Sequence, residues 1–388
     1  MARASSATRI QSSAAISSGV QPPGRAESAP CEKPVSWRVV KGSNIRSGDS
    51  GKNETLWPAH KRACGRACKA APCAPLTPPR MNRRRLLQAT AAAALLPSTQ
   101  RAAPAATRVI DTHTHFYDPA RPQGVPWPPK NSPLHRTVLP ADWLAVAAPH
   151  GARETVVVEA SQWVEDNQWV LDLAEKEKSI VGLVGNLDPN DAQFAANLRR
   201  FAANPLFRGI RWRGDLVRLD ENRDKVLAGA RLLAEHGLEL DLNGPASALE
   251  HAARLAAEVP DLRVVINHLG ASGDPRALKP EWREAVRAVA AGPNVFMKVS
   301  ALVEQVRDAD GKAPDDAAFY LPILDHLWDC FGEDRLIYGS NWPVSDRGAP
   351  YETVFKIVSD YFGSKGREAA EKYFWRNSLK AYRWIERR

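Results

Sequence analysis

After Thr107 the sequence alternates eight short runs rich in Val, Ile and Leu with stretches of helical periodicity, and this alternation limits the fold more than any single residue does. The runs are Arg108 to Thr112, Glu154 to Ala160, Ile180 to Leu187, Phe207 to Trp212, Leu238 to Leu242, Leu262 to Asn267, Asn294 to Val299 and Arg335 to Tyr338. Most are continuously apolar, as expected of parallel strands covered on both faces. Between them lie helical patterns such as Val226, Leu227, Ala230, Leu233 and Ala234 with Gly237 at the C-cap, and Leu249, Ala252, Ala253, Leu255 and Ala256 before Pro260. Eight β/α units in about 280 residues fit an α/β fold of the (β/α)8 TIM-barrel type. An open doubly wound sheet is the competing architecture, but no strand is followed by a glycine-rich phosphate loop.

Charge and cysteine content divide the chain. The net charge of +9 would suit an anionic partner such as nucleic acid. Residues 1–80, however, carry 13 Lys and Arg against 4 Asp and Glu, and four of the five cysteines. That stretch is rich in Ser, Ala, Pro and Gly and is expected to be a disordered basic extension. Met81 then opens Met-Asn-Arg-Arg-Arg-Leu-Leu-Gln, followed by the apolar run Ala89 to Leu96 and small residues at 102–106. Residues 81–106 thus read as a twin-arginine-like export signal, with an apolar run too short to span a bilayer. Such a signal works at a chain start, so Met81 is expected to be the true first residue, residues 1–80 untranslated, and the product periplasmic or secreted. A genuine extension blocking export would leave it cytoplasmic. Without either segment, residues 107–388 have 36 basic against 40 acidic residues. Neither nucleic-acid binding nor integral membrane insertion is then expected, and a small-molecule substrate is.

Sites in this fold sit at the C-terminal ends of the strands. Strand one ends in His113 and His115, two apart and so on one face, where both imidazoles can converge on one ion. Strand six ends in His268, whereas His236, His251 and His326 fall in helical patterns and read as surface residues. Glu159 ends strand two, Arg211 and Arg213 strand four, and Lys298 strand seven. Buried charges at such places are paired or engage a ligand. For Glu159 an internal ion pair with Arg211 or Lys298 competes with ligation or general-base work. Arg211, Arg213 and Lys298 are candidates to hold a substrate carboxylate or lactone oxygen. Trp127, Trp163, Trp212 and Trp342 lie on or just after strand ends, where an indole either packs or faces a substrate ring. The proline-stiffened loop 121–129 is a candidate lid.

Four segments in order, Ile110-Asp111-Thr112-His113-Thr114-His115-Phe116, Asn267-His268-Leu269-Gly270, Lys298-Val299-Ser300 and Gly339-Ser340-Asn341-Trp342-Pro343-Val344, resemble the amidohydrolase-related ("amidohydrolase 2") family of barrel hydrolases. Its sugar-lactonase and 2-pyrone-4,6-dicarboxylate lactonase branch is the nearest in character. The resemblance implies a hydrolase that opens a lactone or cyclic ester with an activated water. It implies His113 and His115 as ligands of one divalent metal, zinc foremost, and His268 as a ligand or carbonyl polariser. It places the general base at strand eight, where this sequence has Asn341. An amide has no basic oxygen at neutral pH. The base is therefore sought at Glu159, Asp346 or His268, and a metal-free enzyme stays open. A metal-dependent decarboxylase of the same superfamily and a catalytically reduced ligand-binding barrel are the alternatives. The expected substrate is a carboxylated or sugar lactone.

Overall fold

The structure, a computed structural model, describes residues 108–387 apart from 215, 218 and 307–311; the basic extension and the export signal read from the sequence lie outside them. The strands are β1 Val109–Thr114, β2 Ala152–Val158, β3 Ile180–Gly185, β4 Phe207–Arg213, β5 Glu239–Asn243, β6 Arg263–Ile266, β7 Val295–Val299 and β8 Leu336–Tyr338. All neighbours pair in parallel, in sequence order. Each strand is followed by a helix: α1 Pro140–Ala147, α2 Asp166–Lys176, α3 Phe194–Ala202, α4 Leu219–Glu235, α5 Ala248–Glu258, α6 Pro280–Ala290, α7 Ala317–Phe331 and α8 Tyr351–Ser364. The expected TIM-type barrel is therefore the fold.

Local chemistry accounts for the elements. In α4 the buried side chains Val226, Leu227, Ala230 and Leu233 form one stripe against the sheet. The helix ends where Gly237 takes φ +66°, a left-handed conformation that needs no Cβ, while its N–H and that of Leu238 cap the carbonyls of Ala234 and Leu233. α6 opens on Pro280, whose missing N–H is not needed in the first turn.

Two apolar layers hold the barrel. Outside, the strands pack against the helices. Inside, Ile110, Val156, Val158, Val181, Val184, Val265, Phe296 and Ile337 form a second core completed by Ala381, Tyr382 and Trp384. The chain thus returns after the helical segment 367–382 to fill the barrel interior. Arg263 fixes that return by donating to the Ala381 and Gly237 carbonyls at 2.6 and 2.7 Å.

One sequence expectation needs correction. His326 is not a surface residue: it is 5 % exposed, its ring tilted against Trp282 at 5.2 Å, with Nε2 3.1 Å from the Arg283 carbonyl oxygen. It lies on the side of α7 that meets Trp282 and Arg283 of α6, where an imidazole with a ring contact and a hydrogen bond to a backbone carbonyl is readily buried. Trp212 faces outward from β4, fully buried, and donates its indole N–H to the Leu187 carbonyl at 3.0 Å; Trp163, at the β2 end, is 38 % exposed.

Candidate active site

The site is created where the barrel closes. β1 and the segment after β8 meet through two backbone bonds: Asn341 N–H to His113 C=O at 2.8 Å and His115 N–H to Trp342 C=O at 3.0 Å. Asp111 secures the same seam from below. Its buried carboxylate accepts from the His113 and Ser340 backbone N–H groups at 3.2 and 2.9 Å, from Trp143 Nε1 at 3.3 Å and from Tyr351 OH at 3.2 Å. Gly339 is required there, because a Cβ would fall 2.8 Å from His113 Cβ and 3.2 Å from Lys298 Cδ.

This seam brings His113 and His115 to a ring separation of 5.0 Å, and His113 to 4.6 Å from His268. All three imidazoles are held neutral. Burial is the main cause in each, reinforced by the cations Lys298 and Arg211, and His115 is pushed down to about 3. His115 Nδ1 lies 3.0 Å from the Val158 carbonyl, which can only accept, so Nδ1 carries the proton and Nε2 keeps its lone pair. That nitrogen lies 3.3 Å from the Asn341 side-chain amide. Both ring nitrogens of His113 are buried without a partner.

His268 and Asn341 occupy left-handed backbone, with φ 55° and 62°, and Leu269 and Ala271 share that conformation. Each costs on the order of 1–3 kcal/mol, strain that persists only where surrounding contacts enforce it. Gln305 supplies some of them, accepting from Gly273 N–H at 2.7 Å and donating to Ala301 C=O at 3.1 Å. Ser300 Oγ accepts the His268 backbone N–H at 3.2 Å and stands 3.0 Å from its Nδ1. Donating its hydrogen to Nδ1 leaves the ring proton on Nε2, the tautomer that can donate into the cavity.

Behind Asn341 lies a residue that the sequence reading missed. Glu304, in the segment after β7, accepts the Asn341 Nδ2–H on Oε1 at 2.7 Å, and its Oε2 is buried without a partner. Burial raises the carboxyl to about 7, partly opposed by the Asn341 bond. A carboxylate four residues past Ser300 looks like any loop acid; only its position relative to a strand-seven end could have marked it. Because the folded value lies above the ordinary one, the neutral form is the better fit in the fold. Stability is therefore expected to fall as pH rises from about 4.5 to about 7, by roughly 3 kcal/mol from this group. Denaturant unfolding of wild type and Glu304→Gln across that range checks it: the variant should gain relative to wild type as pH rises, and a pH-independent difference would refute the assignment.

A cavity of about 550 Å³ opens over this seam, lined by His115, Trp127, Glu159, Gln162, Asn186, Asp188, Arg211, Arg213, Asn243, His268 and Asn341 among others. The structure thus brings together His115, His268, Asn341, Glu159, Arg211, Arg213 and Trp127 of the residues singled out from sequence. It treats the others differently. Lys298 is fully buried, its ammonium 2.7 Å from Asp241, and is no substrate contact: the cation lies inside the barrel, committed to that carboxylate. Trp342 is 2 % exposed and packs in the core. Asp346 lies outside the cavity lining, its carboxylate half-exposed and 4.0 Å from Arg136. Glu159 takes the ion-pair alternative, accepting from Arg211 Nε and a terminal nitrogen at 2.8 and 2.6 Å, so it is poorly placed to act as a free base.

The sequence model of the family described as Amidohydrolase matches residues 110–384. The chain belongs to this family. Among relatives, it is 33% identical over 239 residues to an L-fucono-1,5-lactonase of Burkholderia ambifaria, covering 61% of this chain and 80% of the relative. An L-fucono-1,5-lactonase of Burkholderia multivorans is 26% identical over 281 residues, covering 69% and 92%. A crystal structure of a Burkholderia multivorans amidohydrolase with bound zinc shares the fold at TM-score 0.65 and 24% identity, covering 72% of this chain and all of that one.

No group of three or more His, Cys, Asp or Glu among the described residues is arranged to hold a metal ion. The donor chemistry nonetheless fits one divalent cation: the orphaned nitrogens of His113 and the free lone pair of His115 Nε2 are neutral, buried ligand atoms. This pair would bind it without an anionic residue between them, which predicts weak retention.

Proposed function

We propose that the protein opens a lactone of a polyhydroxylated, sugar-derived acid by attack of water on the ring carbonyl. The observation that carries this reading is the convergence of His115, His268 and Asn341 on a cavity whose wall also carries the hydrogen-bonding side chains Gln162, Asn186 and Asn243, beside the charged Glu159, Asp188, Arg211 and Arg213. Gln162, Asn186 and Asn243 suit hydroxyl groups, and the Trp127 indole offers a flat face to a ring. Arg211 is already paired with Glu159. That pairing lowers the value of Arg211 as a receptor for a free carboxylate, which leaves Arg213 as the other cation of the wall. The names of both lactonase relatives point to a sugar lactone.

In this reading His268 Nε2–H donates to the lactone carbonyl and to the oxyanion that develops from it. His268 can do so at neutral pH because it is neutral with its other nitrogen bonded to Ser300. Asn341 orients the attacking water on the opposite side. A divalent cation on His113 and His115, when bound, would acidify water and polarise the carbonyl. The experiment is a pH-indicator screen of sugar 1,4- and 1,5-lactones, with pyrone dicarboxylate alongside. Acid release from sugar lactones is expected. Turnover of the dicarboxylate alone, or bicarbonate release from a carboxylated substrate, would reverse the reading.

A further inference from the structure

Building on the lactone-opening reading, we propose that Arg121 is a positioning residue for substrate binding: paired with Asp166, it clamps the 121–129 loop so that Trp127 stands as a fixed wall of the site cavity. The loop that the sequence offered as a candidate lid is then a stationary part of the site.

The clamp is built on α2. Asp166 is the first residue of that helix and Trp169 lies three further on, so the two side chains share a face. Arg121 engages both. Its terminal nitrogens donate to the two Asp166 carboxylate oxygens at 2.9 and 3.2 Å, and the guanidinium lies 4.6 Å from the centre of a Trp169 ring. A fork on a carboxylate combined with a stack on an indole suits arginine and not lysine. One of the same nitrogens also donates to the Gly124 carbonyl at 3.1 Å, which ties the guanidinium to the backbone of its own loop. The pair is shielded, with side-chain exposures of 8 % and 12 %, so salt screens it little.

Trp127 needs that support. Its indole meets His115 and Tyr117 edge-on, at ring separations of 5.9 and 5.3 Å. It lines the site cavity, and it also lines a second, small cavity of about 20 Å³ together with Arg121, Val125, Asp166 and Trp169. One water takes roughly 10–15 Å³ on this measure, so the second space holds a single small group. The indole therefore stands between two spaces, and incomplete packing on one side of it cannot by itself fix the ring. The ends of the loop do so. Arg121 anchors the first, and at the other the Pro128 carbonyl lies 2.8 Å from His135 Nδ1. An indole held from both ends loses little freedom when a sugar ring settles on it, and affinity rises through that pre-organisation.

The test is steady-state kinetics on the full chain, with the sugar lactone that wild type turns over fastest, for wild type, Arg121→Met, Trp127→Ala and the double variant. Methionine keeps an apolar stem against Trp169, and Asp166 is left in the first turn of α2, where the helix dipole favours an acid. Arg121→Met should raise KM at least about tenfold and leave kcat within about twofold, as expected when binding is lost and chemistry is not. In the Trp127→Ala background the same substitution should change KM by less than about twofold, because the wall that Arg121 positions is gone. A residue that only supports the fold would act equally in both backgrounds, so equal KM ratios overturn the clamp. So does a wild-type KM in either single variant, and so does a loss confined to kcat. If Arg121→Met fails to fold, Asp166→Ala cuts the same clamp from the side of α2 and is held to the same outcomes. A wild-type protein inert toward every lactone overturns the reading beneath as well; lactone turnover with KM unmoved by these changes removes the clamp alone.

Discussion

Asp241→Ala is expected to lower stability by about 3–5 kcal/mol, because it strands a buried ammonium. Asp241 and Lys298 are both inaccessible to solvent and lie 2.7 Å apart. Asp241 also accepts the Tyr382 hydroxyl at 2.9 Å, and the Lys298 ammonium sits 5.1 Å from the Tyr382 ring centre. Removing the carboxylate takes the hydrogen-bonded counter-ion from the Lys298 ammonium, leaving Glu239 as the other acid acting on it, takes an acceptor from the Tyr382 hydroxyl, and loosens the returning C-terminal segment that completes the inner core. Burial already lowers the Lys298 value, with Asp241 the main opposing influence, so the ammonium is expected to lose its proton more readily in the variant. Thermal unfolding should show a midpoint lower by on the order of 10 °C. Asp241→Ala with Lys298→Met should recover much of the loss, since an apolar pair has no charge to desolvate. Failure of that second change to recover stability would mean the pair matters for shape and not for charge.

His268→Ala is expected to cost about 10²- to 10³-fold in kcat on the lactone substrate, with little change in KM. The reason is that the donor is most valuable when the carbonyl oxygen carries full charge, which happens only in the transition state. Its left-handed backbone and its bond to Ser300 fix the ring before substrate arrives. Steady-state kinetics separate the cases: a rise in KM at constant kcat would make His268 a binding group. Circular dichroism establishes that the variant is folded.

The barrel was legible from sequence because continuous apolar runs and helical stripes repeat eight times, and that pattern survives errors of two residues at each edge. β1 illustrates it: the strand runs on through Thr114 instead of ending at Thr112, yet His113 and His115 still share a face. Side chains whose role depends on a neighbour from another strand were less legible. Glu159 and Lys298 stand at strand ends as expected, but each is committed to a charge that the sequence places 52 and 57 residues away. Trp342 and Asp346 follow β8 directly, and backbone geometry after the strand turned both from the cavity.

The sequence alone determined the parallel barrel and the three histidines at strand ends, because periodicity and strand alternation are local properties. It also showed an amide, Asn341, after strand eight, where the resemblance places the general base. Only the tertiary structure decided what stands around that amide. Closing β8 onto β1 sets Asn341 against His115, and the segment after β7 brings Glu304 behind it. A carboxylate 37 residues away becomes a neighbour through barrel closure, and burial there, absent in the unfolded chain, raises it to about 7.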